Sequence, residues 1–177
     1  MTETALTLRT PRLLGEPIAV THERQLKALL LDPRVHRWLW PWSEPPTGGD
    51  VRRGIEGAVE HWHQHGFGLW LLRDRGTGAA VGRGGLQYTD AVAGEFAVEA
   101  AWTIVPHMWG RGLATELAQG AVRTGFDRLG LVEVIAITLT ANRASRRVME
   151  KAGFTADGTI EHVGIEHVLY RCRRTRC

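Results

Sequence analysis

Residues 96–139 read FAVEAAWTIVPHMWGRGLATELAQGAVRTGFDRLGLVEVIAITL, and three different periods follow one another inside them. Phe96, Val98, Ala100, Trp102 and Ile104 alternate with Ala97, Glu99, Ala101 and Thr103, which is a strand with one apolar face. Pro106 ends it. Leu113, Leu117, Ala118, Ala121, Val122, Phe126 and Leu129 then form one helical stripe, and Gly130 is a C-terminal stop. Val132 to Leu139 is a β-branched run of the kind that fills a buried strand. Strand, crossover helix and strand make a βαβ unit, so these two strands are predicted to lie parallel.

Working outward, Thr4 to Arg9 reads as a strand. A helix opens at Thr21, carries Leu26, Leu29 and Leu30, and is closed by Asp32-Pro33. The segment from Arg37 to Pro46, with Trp38, Trp40 and Trp42, is too proline-rich to be regular. Asp50 is the expected N-cap of a helix carrying Val51, Ile55, Ala58, Val59 and Trp62. Gly54 and Gly57 weaken that helix by up to ~1 kcal/mol each. Phe67 to Asp74 and Ala79 to Tyr88 read as a hairpin around Arg75-Gly76-Thr77-Gly78. Gly82, Gly84 and Gly85 point to a bulge or a close backbone approach in the return strand. A short helix from Arg143 to Ala152 is capped by Asn142, and strands follow near 154–160 and 165–172. The expected fold is α/β, a mixed and mostly antiparallel sheet with one parallel pair and helices on both faces, in a single domain over 1–177.

A chain of 177 residues with 44% hydrophobic content and seven Trp builds its own core without disulfide or metal, and bulk disorder is excluded. The net charge of +3 lacks the dense basic face of a nucleic-acid binder. No apolar run is long enough for a bilayer, and the first residues lack the pattern of a secretory signal. With Cys172 and Cys177 as the only cysteines, a reduced, cytoplasmic protein is expected. His61-Trp62-His63-Gln64-His65 invites a metal reading, but Trp62 stands where a zinc helix needs Glu, and no metal is expected. Arg171, Arg173, Arg174 and Arg176 read as a solvated strand end.

Two stretches carry chemistry. In His107-Met108-Trp109-Gly110-Arg111-Gly112-Leu113-Ala114-Thr115, two glycines bracket an arginine where a helix begins. Unpaired N–H groups at a helix start, close backbone approach at glycine, and the donors of Arg111 and Thr115 suit a phosphate or pyrophosphate; an ordinary tight turn is the alternative. After the next strand, Asn142-Arg143-Ala144-Ser145-Arg146-Arg147-Val148-Met149-Glu150-Lys151-Ala152-Gly153-Phe154 brings Asn142 and Ser145 to the carboxyl end of the parallel pair, where open α/β sheets bind ligands. Solvated arginines on a capped surface helix are the plainer reading.

Together these stretches resemble the GNAT superfamily of N-acetyltransferases, most nearly the branch of bacterial ribosomal-protein N-terminal acetyltransferases. An early Thr-Pro-Arg-Leu, Asp32-Pro33-Arg34-Val35 before the Trp/Pro segment, and Glu99 to Pro106 before Trp109 to Glu116 add to the likeness. The resemblance implies acetyl-CoA as acetyl donor, with its pyrophosphate on Trp109, Gly110, Arg111, Gly112, Leu113, Ala114 and Thr115. It also implies parallel strands splayed by a bulge, pantetheine along Ile104 and Val105, and Asn142 and Arg147 on the coenzyme side. The sequence departs from the family pattern at His107, where Gln or Arg is usual, and at Met149, where many members carry a tyrosine acid; Ser145 is the nearest replacement.

Transfer to an amine needs a base, because an ammonium has no lone pair with which to attack. Glu99 is the first choice, with a structural carboxylate as the alternative and Glu161 and His162 as other candidates. A backbone N–H near Ile104 or Val105 would meet the developing oxyanion. Ser145 would protonate the leaving thiolate or merely orient it. Trp38, Trp40 and Trp42 would wall the acceptor pocket or pack in the core. The acceptor is a protein N-terminus or a small-molecule amine. Competing expectations are a non-catalytic acyl-CoA-binding module and transfer of a larger acyl group such as succinyl; a homodimer stays open.

Overall fold

A computed structural model describes residues 6–40 and 44–174. The strands are β1 (Leu8–Arg9), β2 (Leu13–Pro17), β3 (Leu69–Asp74), β4 (Ala80–Thr89), β5 (Ala97–Ile104), β6 (Glu133–Leu139), β7 (Thr155–His162) and β8 (Ile165–Arg173). The helices are α1 (Glu23–Leu30), α2 (Pro33–Leu39), α3 (Gly48–His65), α4 (Leu113–Arg128) and α5 (Arg143–Lys151). One sheet runs in the order β1-β2-β3-β4-β5-β6-β8-β7, and only β5 and β6 pair in parallel.

That parallel pair is the break in the sheet. β4 and β5 match over eight consecutive positions, from Gly82↔Ile104 to Thr89↔Ala97. β5 and β6 match at one, Glu99↔Ile135, and then diverge. The β4–β5 register has no shift, so the splay arises without the bulge expected beside it. The sheet's register shifts lie at Val81 of β4, the extra residue opposite the Leu72–Arg73 step of β3, and between Ala156 and Thr159 in β7. The return strand thus carries both expected features, a bulge beside Gly82 and close approach at its glycines. A Cβ on Gly84 would collide with the Ala101 carbonyl and the Leu117 side chain of α4.

The two faces carry separate cores. On one, α4 and α5 bury Leu113, Leu117, Ala118 and Met149 against Leu86, Ala100 and Ile104. On the other, α1, α2 and α3 bury Leu26, Leu29, Val35, Val51 and Ile55 against Leu69 and Leu71. Gly130 closes α4 with φ 68°, and Leu131 N–H returns to the Gly125 carbonyl at 3.0 Å.

Three expectations are corrected. β2 was absent from the sequence reading because Leu13-Leu14-Gly15-Glu16-Pro17 mixes strand formers with breakers; Gly15 is needed there because a Cβ would stand 2.9 Å from Leu8 Cβ. Asp32-Pro33 does close α1, but it also opens α2: Asp32 accepts from Arg34 N–H at 2.9 Å and Pro33 takes the first helical position, so Arg37 and Trp38 are helical. The N-cap of α3 is Thr47, not Asp50. Asp50 sits at the third position and accepts from Thr47 N–H at 2.7 Å while Thr47 Oγ1 accepts from Asp50 N–H at 3.2 Å, a reciprocal box.

Candidate active site

A cleft of about 820 Å³ opens where β5 and β6 part. Gly110, Gly112, Leu113, Ala114 and Thr115 line one end, and Asn142, Ser145 and Arg147 of the α5 start line the wall beside it. Glu99 and Ile104 face it from β5. Trp38 and Trp40 line it from the α2 side, with His162. Trp42 lies outside the described residues.

The glycine loop is shaped for an anion. Gly110 and Gly112 both have φ 76°, which L side chains avoid. Gly112 caps α4 without any side-chain cap, and the first α4 amide to find a helical partner is that of Glu116, on the Gly112 carbonyl at 3.0 Å. The amides of the first turn therefore remain available toward the cleft. From below, Glu116 accepts from Thr10 Oγ1 at 2.6 Å, Arg12 N–H at 2.7 Å and Arg12 Nε at 2.6 Å, and Arg12 Nη1 donates to the Arg111 carbonyl at 2.8 Å. Burial pushes the Glu116 carboxyl up, but these donors together outweigh it and hold the group below its usual range. Sequence reading missed this brace; Arg12 and Glu116 both stood inside the quoted family stretches as its signal. Arg111 contributes its carbonyl to the brace and does not line the cleft.

Along β5 the antiparallel alternation decides which amides are free. Val105 N–H donates to the Val81 carbonyl at 2.9 Å, so Val105 is spent on β4 and does not line the cleft, contrary to expectation. Ile104, one residue back, then turns its amide toward the splay, where no β6 residue pairs with it. Its carbonyl on that side accepts from Trp109 Nε1 at 2.6 Å, which fixes the indole at the loop.

Glu99 is enclosed by protein yet open to the cleft. Burial pushes its carboxyl up to about 7, against the pull of Gln87 directly across the ladder. The carboxylate is thus half ionised near neutral pH, where a general base works best. Glu161 is exposed and does not line the cleft, whereas His162 does. Asn142 Oδ1 accepts from Ser145 N–H at 3.1 Å and leaves the Asn142 amide donors free. Met149, one turn on from Ser145, is fully buried in the core and offers no acid.

Trp38 is half-buried, with the Arg37 guanidinium 5.1 Å from its ring centroid. Trp40 packs against the helical core and also meets the cleft. His61, which the sequence placed in a histidine cluster, has both nitrogens engaged. Nε2 accepts from Tyr88 N–H at 3.0 Å, so Nδ1 carries the proton given to the Phe67 carbonyl at 2.8 Å. Among the described residues no group of three metal-ligating side chains gathers. Of the basic run at the end, Arg173 and Arg174 are exposed as expected and Arg176 lies outside the described residues, but Arg171 is not solvated. Arg171 is buried among Glu95, Glu133 and Asp157, and Arg173 pairs with Glu133 at 2.6 Å. No described helix is long and apolar enough to cross a membrane.

Comparison with known proteins agrees with this geometry. The Acetyltransferase (GNAT) domain matches residues 12–155. The FsC-acetyl coenzyme A-N(2)-transacetylase of Aspergillus fumigatus is 31% identical over 160 residues, 84% of this chain and 65% of that protein. The chain thus spans just under two thirds of that relative's length. A structure described as a GnaT-family acetyltransferase from Bordetella pertussis superposes with TM-score 0.81 at 26% identity, covering 94% of this chain and 99% of that one. RimL, a ribosomal L7/L12 alpha-N-protein acetyltransferase solved with coenzyme A, shares the fold at TM-score 0.75 and 17% identity, over 95% and 98% of the two chains. With the matched domain covering most of its length, the chain belongs to the GNAT acetyltransferase family.

Proposed function

We propose that this protein transfers an acetyl group from acetyl-CoA to a primary amine by direct attack in a ternary complex. The observation that carries the reading is one cleft, at the one break in the sheet, holding both an uncapped helix start and a carboxylate raised to about 7.

Acetyl-CoA supplies the activated thioester. The amides of Leu113, Ala114 and Thr115, with the Thr115 hydroxyl and Arg147, hold its pyrophosphate, and the donors of Asn142 meet the pantetheine arm. The Ile104 amide donates to the carbonyl oxygen as negative charge develops there. Glu99 takes the proton from the incoming ammonium, directly or through water. Ser145 gives a proton to the departing sulfur. Trp38 and Trp40 wall the acceptor side with rigid apolar surface. A reduced, cytoplasmic setting goes with this reading, and the acceptor is a protein N-terminus or a small amine. Two relatives, named for a coenzyme A-N(2)-transacetylase and a protein N-terminal acetyltransferase, support that range.

Thiol release from acetyl-CoA across a panel of peptides and small amines tests the proposal. Release that depends on the amine, and that falls in Glu99→Gln, is expected. Coenzyme A binding without release on any acceptor would make the protein an acyl-CoA-binding module. Succinyl-CoA in parallel decides the acyl group.

A further inference from the structure

Behind the acceptor wall lies a second cavity, of about 290 Å³, between α3 and the β4–β5 ladder. Leu39, Ala101, Trp102 and Thr103 line both it and the main cleft, so the two adjoin. Its roof is the α3 face formed by Gly54, Gly57, Ala58 and His61, at helical spacing of three and four residues. A Cβ on Gly54 or Gly57 would meet nothing within 4 Å. The glycines that weaken α3 therefore do not make room for packing; both are exposed and border this space.

One charged side chain lines the cavity: Arg83 of β4. Among the described residues its guanidinium makes no hydrogen bond and no ion pair, and burial is what perturbs it, lowering its pKa to about 10 and leaving it cationic at neutral pH. Other partly buried arginines are matched: Arg171 by three carboxylates, Arg12 by Glu116, Arg73 by Glu16. Arg83 is half-buried, and a guanidinium drawn out of water without a counter-charge costs stability and is retained where something else supplies the anion. His61 cannot compete for it or repel it, because its ring is held neutral by Phe67 and Tyr88.

Register places Arg83 relative to the base. Arg83 stands opposite Thr103, and Gln87, on the same face, stands opposite Glu99. Four residues along a strand separate the two positions by roughly 13 Å between backbones. An acceptor whose amine reaches Glu99 would thus place its far end at Arg83.

We infer that the acceptor is an amine carrying a remote oxyanion group, bound by the Arg83 guanidinium in the cavity under Gly54 and Gly57. The inference rests on the acetyl-transfer reading for the position of the amine. A planar guanidinium fork takes a carboxylate or a phosphate in the same bidentate way. The carboxylate and phosphate arms below distinguish the two.

The probes are triglycine against triglycinamide, which differ in the carboxylate alone, and aminohexyl phosphate against aminohexanol, of similar length. Binding to the coenzyme A-saturated protein is read by calorimetry, and turnover by thiol release. The wild type is expected to favour one charged member over its neutral twin by about tenfold or more, the scale of a charge-assisted hydrogen bond. Arg83→Gln should erase that preference while coenzyme A affinity stays unchanged, and Arg83→Lys should retain part of it. Gly57→Leu should keep or raise the melting temperature yet abolish acceptor binding. Equal binding of charged and neutral twins by the wild type would overturn the inference, as would a preference that survives Arg83→Gln. Selective binding without any thiol release would support the anion site and overturn the acetyl-transfer reading instead.

Discussion

Glu99 is a carboxylate whose environment works against its charge, and that has two separable consequences. Its pKa rises to about 7 from an ordinary 4.5 because protein encloses it. For catalysis, only the ionised form accepts a proton, so kcat/KM should climb with pH through about 7 to a plateau above about 8, with roughly a tenth of the plateau at pH 6. Glu99→Gln should remove this limb and lower turnover about 100-fold while coenzyme A still binds. For stability the sign is opposite. A raised carboxyl contributes below its unfolded pKa and loses that contribution as pH rises through 7. Thermal melts between pH 5 and 8 should therefore show a steeper loss in the wild type than in Glu99→Gln. If the rate profiles coincide, Glu99 is structural and His162, which also lines the cleft, becomes the candidate base. Ser145→Ala should cost less, about tenfold at most, because a thiolate leaves unassisted more readily than an ammonium attacks. A loss larger than that of Glu99→Gln would reverse the ranking.

Between β5 and α4, the loop carries two left-handed glycines and is held from below by Glu116 and Arg12, so its shape depends on an ion pair formed across more than a hundred residues of chain. Glu116→Gln keeps the size of the side chain and removes its charge. Coenzyme A affinity should fall several-fold and the melting temperature should drop. The wild type should lose this advantage as pH falls through the carboxylate range, because a depressed carboxyl contributes above its unfolded pKa. A titration showing unchanged coenzyme A affinity would separate the brace from the loop. What was legible at this scale follows one rule: elements whose signal is periodic were read within a residue or two, as with β5, α4 and β6. Elements whose signal is a boundary were misread. Asp32-Pro33 stops one helix and starts the next, and periodicity cannot say both. The Val105 amide was misassigned for a different reason, since which of two neighbouring amides faces the splay depends on the β4 register. Arg83 was invisible because nothing in a glycine-rich strand says whether its one charge has a partner.

Across the whole molecule, the sheet separates two cores, and the splay joins the spaces beside them. In the proposed reading the coenzyme side is built on α4 and α5 and the acceptor side on α2 and α3, helices that pack on opposite faces. Trp38 lines the cleft from the acceptor side, and Arg147 from the other. Trp38→Ala should raise the acceptor KM several-fold at constant coenzyme A affinity. Arg147→Ala should weaken coenzyme A and leave the acceptor KM alone. Because the two residues share no partner, their effects on kcat/KM should add in the double variant to within ~0.5 kcal/mol. A coupling above ~1 kcal/mol would mean that both residues touch one ligand or one moving element. The separation of the ligands by the sheet would then be wrong, and the acceptor would have to enter along the same face as the coenzyme.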